Sequence, residues 1–141
     1  STMELSSRIF TSVPDEAKQI RKTVLMQEQG FSEEFDHIDA YARHVLCYAD
    51  GVAVATCRYF HSGREYVIGR LATLAPYRGN GIGAAVMRAA EDAIRSEGGT
   101  SVCIHAQVAA RPFYEKCGYI STEKFDEEQG CPHVFMVKRL G

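Results

Sequence analysis

The sequence lacks the features by which several large classes of protein are recognised. No apolar run approaches the roughly 18 residues of a membrane span, and no apolar stretch follows the charged residues Glu4 and Arg8, so a signal peptide is not predicted. Sixteen basic and 18 acidic residues give a net charge of −2, which argues against a basic nucleic-acid-binding surface. We therefore expect a cytoplasmic protein without a nucleic-acid or membrane partner. The sequence leaves a homodimer open.

Cysteine and histidine patterns typical of metal or redox sites are also missing. The five cysteines include no C-x-x-C pair, which argues against a zinc ribbon and a thioredoxin-type site. We expect them to be small, buried, reduced side chains. The five histidines include no H-E-x-x-H motif and no close pair of ligands, so no metal is expected.

Length and periodicity predict the architecture. A chain of 141 residues is predicted to form one domain, residues 1–141, with a core that needs no disulfides. Alternating apolar residues predict strands, and apolar residues at helical spacing predict helices. The predicted strands are 5–10, 44–49, 52–60, 65–74, 101–105, 119–125 and 133–140. The predicted helices run from Pro14 to near Gly30, from Ile82 to the glycines at 98–99, and from Ala109 to Lys116.

The order of these elements predicts a mixed α/β sheet. Asp50-Gly51 lies between two β-like runs and favours a type I′ hairpin, so residues 44–74 are predicted to form an antiparallel meander. The following strand–helix–strand pattern favours a parallel βαβ unit. The acidic residues 31–43 are expected to form a loop with one helical turn.

The segment from Leu74 to Ala84, LAPYRGNGIGA, is the most informative one. Its alternating glycines let a ligand approach the backbone, and the free N–H groups at the following helix start favour an anion. A purely structural turn is the alternative. A P-loop is excluded because the chain has no Gly-Lys pair. Gly79, Gly81 and Ala84 formally match the dinucleotide fingerprint, but the acid expected after the second strand is missing. A coenzyme A pyrophosphate loop is the third interpretation.

Two motifs resemble those of the GNAT superfamily of N-acetyltransferases. Arg78-Gly79-Asn80-Gly81-Ile82-Gly83 satisfies the family's pyrophosphate motif, Arg/Gln-x-x-Gly-x-Gly/Ala, and Leu74-x-Pro76 precedes it as in the family. A second motif, Asn-x-x-Ala-x-x-x-Tyr-x-x-x-Gly-Phe, is matched in spacing from Gln107 through Tyr114 to Tyr119, with Gln for Asn and Tyr for Phe. Further segments resemble the small ElaA-like bacterial branch: 28–30, 44–46, 68–70, 105–107 and 132–133.

The resemblance implies a GNAT-like fold and an acetyltransferase that moves the acetyl group of acetyl-CoA directly to a primary amine of a small molecule or peptide. The alternative is a non-catalytic acyl-CoA-binding or sensor module. The implied cofactor-binding residues are Thr73, Leu74, Arg78, Gly79, Asn80, Gly81, Ile82, Gly83, Ala84, Gln107 and Tyr114. Tyr114 is also the implied general acid, because a phenol holds its proton at neutral pH better than a thiol does.

The sequence does not identify the general base or the acceptor substrate. Four residues in the resembling segments are candidates for the base, each with a structural alternative: Glu28, His105, Glu128 and His133. The acidic runs at 33–39 and 126–128 are hypothesised to line one mouth that attracts a cationic amine, unless both are solvated surface. Arg70, on a predicted central strand, is interpreted either as an ion-paired structural residue or as part of the acceptor cleft.

Overall fold

The computed structural model, which describes residues 2–32 and 35–141, places its strands in one sheet of order β1-β2-β3-β4-β5-β7-β6. Neighbouring strands are antiparallel except β4 and β5, which are parallel. The predicted fold class, an antiparallel meander followed by a parallel βαβ unit, is confirmed. The strands are β1 Leu5–Phe10, β2 Arg43–Ala49, β3 Val52–Ser62, β4 Glu65–Thr73, β5 Ser101–Gln107, β6 Ile120–Glu128 and β7 Cys131–Arg139.

The helices lie close to their predicted positions. They are α1 Asp15–Arg21, α2 Ile82–Ser96 and α3 Arg111–Lys116, with 3₁₀ turns at His37–Ala40, Ala75–Tyr77 and Val108–Ala110. The sequence did not predict that α1 continues as a π-helical segment, Lys22–Glu28. In it the N–H of Gln29 donates to the carbonyl of Val24, five residues earlier, at 3.1 Å. None of the described helices is both long and apolar enough to cross a membrane.

Two tight hairpins shape the sheet. Asp50 and Gly51 both have positive φ, 50° and 84°, so the predicted turn between β2 and β3 is confirmed. Gln129 and Gly130, at 49° and 76°, join β6 to β7 in the same way. That second hairpin extends both strands beyond their predicted ends, so the acidic residues 126–128 belong to β6 rather than to a loop.

Apolar side chains cover both faces of the sheet. On one face α1 and its π-helical continuation pack against Leu46 and Ala72, and on the other α2 packs against β2 to β5 and β7. Full burial of each large aliphatic side chain contributes about 1.5–3 kcal/mol. The buried α2 residues are the apolar Ile82, Val86, Met87, Ala90 and Ile94, and Glu91, which accepts hydrogen bonds from Tyr119 and Lys138.

The parallel strands β4 and β5 stay together over a short distance only. Their pairing ends at Ile68 and Ile104. On the other side of β4, one β3 residue lies opposite Arg70 and Leu71, which marks a β-bulge. Within the bulge, the backbone of Arg70 adopts a left-handed conformation with a φ of 55°. The bulge and the loss of pairing let the two strands separate towards their C-terminal ends.

A buried ion-pair network ties α1 to the sheet beside this separation. Arg21, 1% exposed, donates two hydrogen bonds to Asp39, at 2.9 and 3.2 Å. Arg58 donates to Asp39 at 2.9 Å and to Asp36 at 2.6 Å, and Arg70 donates to Asp36 at 3.2 Å. Burial by itself would raise the pKa of Asp39, but the hydrogen bonds from Arg21, the Asp36 backbone and Arg58 lower it to about 2. Arg70 is thus an ion-paired residue.

Replacement of Asp39 by Asn tests this network. The substitution leaves two buried guanidinium groups without their shared carboxylate, and we expect a loss of about 3–5 kcal/mol in the free energy of unfolding at pH 7, measured with urea. Because the folded-state pKa of Asp39 is lowered, its contribution is present above about pH 4 and lost as the pH falls towards 2. The difference between the variant and the wild type therefore shrinks in that window.

The matched control is Asp92→Asn, which breaks an exposed pair with Arg95 on α2. We expect a change within about 0.5 kcal/mol for this control. Equal losses in the two variants would show that the buried network does not hold α1 to the sheet.

Candidate functional site

The separation of β4 from β5 opens a cleft with two lobes. The first, the glycine-loop lobe, is about 490 Å³ and is lined by Thr73, Tyr77 and much of the segment 78–84. The second, the histidine lobe, is about 540 Å³ and extends between the strands to His105 and His133. Four residues line both lobes and mark where they meet: Gln29, Leu71, Ala110 and Phe113.

The glycine-loop lobe has the backbone geometry of an anion site. Gly79 and Gly81 have φ of 81° and 74°, and Gly81 is the N-cap of α2. An added Cβ at either glycine would meet no protein atom within 4 Å, so the open space there belongs to the cleft. The first-turn N–H groups of α2 lack intrahelical acceptors and lie at the positive end of a helix of 15 residues. Ile82 anchors this helix start in the core.

The polar side chains of the loop stabilise its shape. Arg78 donates through Nε to the Thr73 carbonyl at 3.0 Å and through Nη2 to Glu28 at 2.8 Å. Asn80 donates to the carbonyls of Tyr77 and Arg78, at 3.1 and 3.2 Å. These contacts hold the loop against the end of β4 and leave its backbone for a ligand.

Four of the cofactor-binding residues implied by the resemblance do not line the glycine-loop lobe: Gln107 and Tyr114 line the histidine lobe, and Leu74 and Asn80 line neither. The N–H of Leu74 donates to the Val54 carbonyl at 2.9 Å, so this amide is committed to the sheet. The other implied residues between 73 and 84 line the lobe: Thr73, Arg78, Gly79, Gly81, Ile82, Gly83 and Ala84.

Gly83 matters because it lacks a side chain, and its backbone conformation does not require glycine. A Cβ at this position would lie 3.2 Å from the Phe113 ring. The glycine therefore lets the first turn of α2 pack closely against Phe113, which separates the two lobes. This contact joins the glycine loop to α3, which carries Tyr114.

Tyr114 lines the histidine lobe beside Phe113, with their ring centroids 5.0 Å apart. Within the described residues, no protein group forms a hydrogen bond with its hydroxyl. Burial raises the pKa of the phenol above its ordinary value. Tyr114 therefore stays protonated at neutral pH, with a hydroxyl that can donate to a ligand.

Gln107 spans the cleft at the end of β5. Its Nε2 donates to Oε1 of Gln29 at 2.8 Å. Gln29 follows the π-helical segment, so the irregular hydrogen bonding there places a polar side chain between the lobes. The motif spacing identified Gln107, whereas nothing in the sequence pattern predicted its partnership with Gln29.

The structure brings together three of the four candidates for the base. His105, Glu128 and His133 line the histidine lobe, and one donor atom from each lies within 4.8 Å of the other two. We call these three residues the His–Glu cluster. Glu28 lies apart from it, outside the lining of both lobes, and its carboxylate is paired with Arg78. The cluster draws on β5, β6 and β7, so no short sequence motif could reveal it.

The charges of the histidine lobe differ from the acidic mouth that the sequence suggested. Asp36 faces the lobe together with Arg58 and Arg70, which bind it. Asp39 is buried in the same network, and Glu33 and Glu34 lie outside the described residues. In the second acidic run, Asp126 and Glu128 contact His105. Asp36 is thus paired with arginines, whereas Asp126 and Glu128 flank a histidine, and the preference for a cationic acceptor stays a prediction.

Comparisons with known proteins identify the family of this chain. A model of the acetyltransferase (GNAT) domain matches residues 11–140. The Bacillus subtilis protein YyaT is 37% identical over 131 residues, which cover 89% of this chain and 88% of YyaT. YjcF of the same organism, described as an N-acetyltransferase, is 30% identical over 122 residues, or 84% of this chain and 87% of YjcF.

Solved structures share the whole fold. A Lactobacillus plantarum protein, crystallised as a candidate N-acetyltransferase, superimposes with a TM-score of 0.85 at 29% identity and covers 100% of both chains. Escherichia coli ElaA superimposes with a TM-score of 0.80 at 25% identity, covering 97% of this chain and 99% of ElaA. The family match and these relatives show that the chain belongs to the GNAT acetyltransferases, in the small bacterial branch that includes ElaA.

Proposed function

We propose that this chain transfers the acetyl group of acetyl-CoA directly to a primary amine. One observation carries the proposal: the cleft joins the helix start at the glycine loop to a lobe in which the Tyr114 hydroxyl has no hydrogen-bond partner among the described residues. The two lobes meet at Phe113 and Leu71, beside the β4 bulge. A thioester at this junction would be within reach of both lobes.

The glycine-loop lobe fits the pyrophosphate of coenzyme A. The amides of Ile82, Gly83 and Ala84 supply donors, and the positive end of α2 favours the negative charge. Gly79 and Gly81 leave the space in which phosphate oxygens would approach the backbone. Arg78 adds a fixed positive charge at the lobe wall. Gln107 would meet the pantetheine arm where it passes from one lobe to the other.

Tyr114 is proposed as the general acid. A thiolate leaves when the thioester is cleaved, and its protonated form is the better leaving group. Because burial raises the phenol pKa, Tyr114 holds its proton until a developing thiolate accepts it. The ring contact with Phe113 places the phenol beside the junction of the lobes.

The His–Glu cluster is proposed to accept the proton of the amine. The carbonyl of Cys131 lies 2.8 Å from Nδ1 of His133 and can only accept, so this nitrogen carries the proton and Nε2 keeps a lone pair. Nε2 of His105 lies 2.6 Å from Asp126 and Nδ1 lies 3.4 Å from Glu128, so carboxylates face both nitrogens of that ring. The Nε2 lone pair of His133 is therefore the proposed proton acceptor, and Glu28 is set aside because its carboxylate is paired with Arg78.

Direct transfer is favoured over a covalent acetyl-enzyme. In the described part of the chain, no cysteine lines either lobe. Burial raises the pKa of Cys57, Cys103 and Cys117, which makes these thiols poor nucleophiles at neutral pH. The acetyl group would therefore pass to the amine in a ternary complex.

Release of free thiol from acetyl-CoA, followed with a panel of small-molecule and peptide amines, tests the activity. We expect thiol release above the rate without amine, and a product heavier by one acetyl group in mass spectrometry. Coenzyme A binding without amine-dependent release across the panel would instead favour the non-catalytic acyl-CoA-binding alternative.

Tyr114→Phe removes the phenolic proton and keeps the ring. We expect kcat to fall by roughly 10²–10⁴, the range for one general acid, while the Kd for acetyl-CoA stays within about threefold. Tyr77→Phe is the matched control, because this tyrosine lines only the glycine-loop lobe. An unchanged kcat in Tyr114→Phe, with pre-steady-state data showing that chemistry limits turnover, would remove the acid role.

Gly81→Val tests the pyrophosphate site. The branched side chain would fill the open space beside the first turn of α2, so we expect the rise in Tm on adding coenzyme A to disappear. The control is Gly51→Val, which has a similar positive φ of 84° in the remote β2–β3 turn. Both substitutions strain the backbone, but only the first should abolish the ligand-induced shift. A normal shift in Gly81→Val would contradict the assignment.

A further inference from the structure

We propose that the His–Glu cluster is a binding site for a divalent transition-metal ion, of which zinc is the best match. His105, Glu128 and His133 provide two imidazole nitrogens and one carboxylate, a ligand set that zinc sites use with a fourth position open. One donor atom from each residue lies within 4.8 Å of the other two. This binding does not depend on the proposed acetyl transfer.

The hydrogen bonds of the two histidines orient them as metal ligands are usually oriented. Each ring is held through one nitrogen by an acceptor, Asp126 for His105 and the Cys131 carbonyl for His133. Nε2 of His133 is thereby left with a lone pair, and Nδ1 of His105 faces the Glu128 carboxylate. Such outer contacts fix the tautomer and orientation of histidine ligands in metal sites.

One pair within the cluster already has the spacing of zinc ligands, and the remaining pairs lie within 4.8 Å. Nδ1 of His105 lies 3.4 Å from Oε2 of Glu128, and tetrahedral zinc ligands at ~2.0–2.2 Å from the ion are about 3.4 Å apart. A lone pair and a carboxylate at this distance repel each other unless a proton or a cation lies between them. A metal ion would replace that proton.

The two histidines of the cluster are packed against the sheet, whereas its carboxylate is open to solvent. His133 is buried, and the His105 ring stacks on Phe135 with centroids 4.5 Å apart. Glu128, by contrast, is 46% exposed at its side chain. The two histidines are therefore held by the sheet, while the carboxylate can move towards an ion that enters from the histidine lobe.

Metal ions that prefer imidazole ligands should bind in preference to hard, oxygen-preferring ions. Imidazole nitrogen suits zinc, cobalt, nickel and copper, whereas magnesium and calcium prefer oxygen-only ligand sets. The metal would use the Nε2 lone pair of His133 that is proposed to accept the amine proton. Metal occupancy and proton acceptance at the cluster would then exclude each other.

Titration of the chelator-treated, tag-free full chain with Co²⁺ tests the site without any acetyl transfer. We expect one equivalent to bind with the visible absorption of four- or five-coordinate Co²⁺, and Zn²⁺ to displace it. Single substitutions His105→Gln, Glu128→Gln and His133→Gln should each weaken binding at least tenfold. Asp126→Asn, which removes an outer contact, should weaken it by about 10–100-fold.

His61→Gln is the matched control, since His61 stacks on Tyr66 outside both lobes. It should bind Co²⁺ as the wild type does. If His133→Gln does not fold, Co²⁺ binding by the Glu128→Gln variant tests the site, because Glu128 is exposed and its replacement should leave the fold intact. The proposal is overturned if Co²⁺ fails to bind at millimolar concentration, or if binding is unchanged in the cluster variants. A thiolate charge-transfer band that disappears in Cys131→Ser, with the cluster variants unaffected, would also overturn it.

Discussion

The separation of β4 from β5 is the constraint on which the site depends. The two strands pair over three positions and then part at Ile68 and Ile104. Because parallel strands share slanted hydrogen bonds along their whole length, only an irregularity can end the pairing inside the sheet. The bulge at Arg70 and Leu71 supplies it. Both lobes of the cleft border this opening, and Leu71 lines each of them.

The polar network beside the opening keeps it in shape. Arg70 takes a left-handed backbone conformation at the bulge, and its side chain binds Asp36. Asp36 also binds Arg58, which in turn shares Asp39 with Arg21 of α1. The strained strand is thus fastened through ion pairs to a helix on the sheet face. Groups that a sequence-based argument assigned to an acidic mouth instead hold the cleft wall.

The same opening lies between the glycine-loop lobe and the His–Glu cluster. α2 starts where β4 ends, so its N-terminus points to one lobe, whereas β5 carries His105 and Gln107 into the other. β7 pairs with β5 and sets His133 opposite Gln107, and β6 brings Glu128 to the neighbouring position through the tight hairpin at Gln129 and Gly130. The proton acceptance and the metal binding that we propose are alternative uses of this cluster, which strand pairing creates.

Local sequence determined the features that depend on neighbouring residues. The glycine loop, the type I′ turn at Asp50-Gly51, the apolar face of α2 and the spacing from Gln107 to Tyr114 are encoded within short segments, because backbone conformation and helical periodicity are local properties. These segments were enough to predict the mixed sheet, and they singled out the glycine loop and Tyr114 as candidate site residues. Only the tertiary structure decided which distant side chains meet. The commitment of the Leu74 amide, the pairing of Glu28 with Arg78, the bridge from Gln29 to Gln107 and the His–Glu cluster all arise from strand register and from the parting of β4 and β5. Register and separation depend on packing across the whole sheet, so no single segment of the chain carries them.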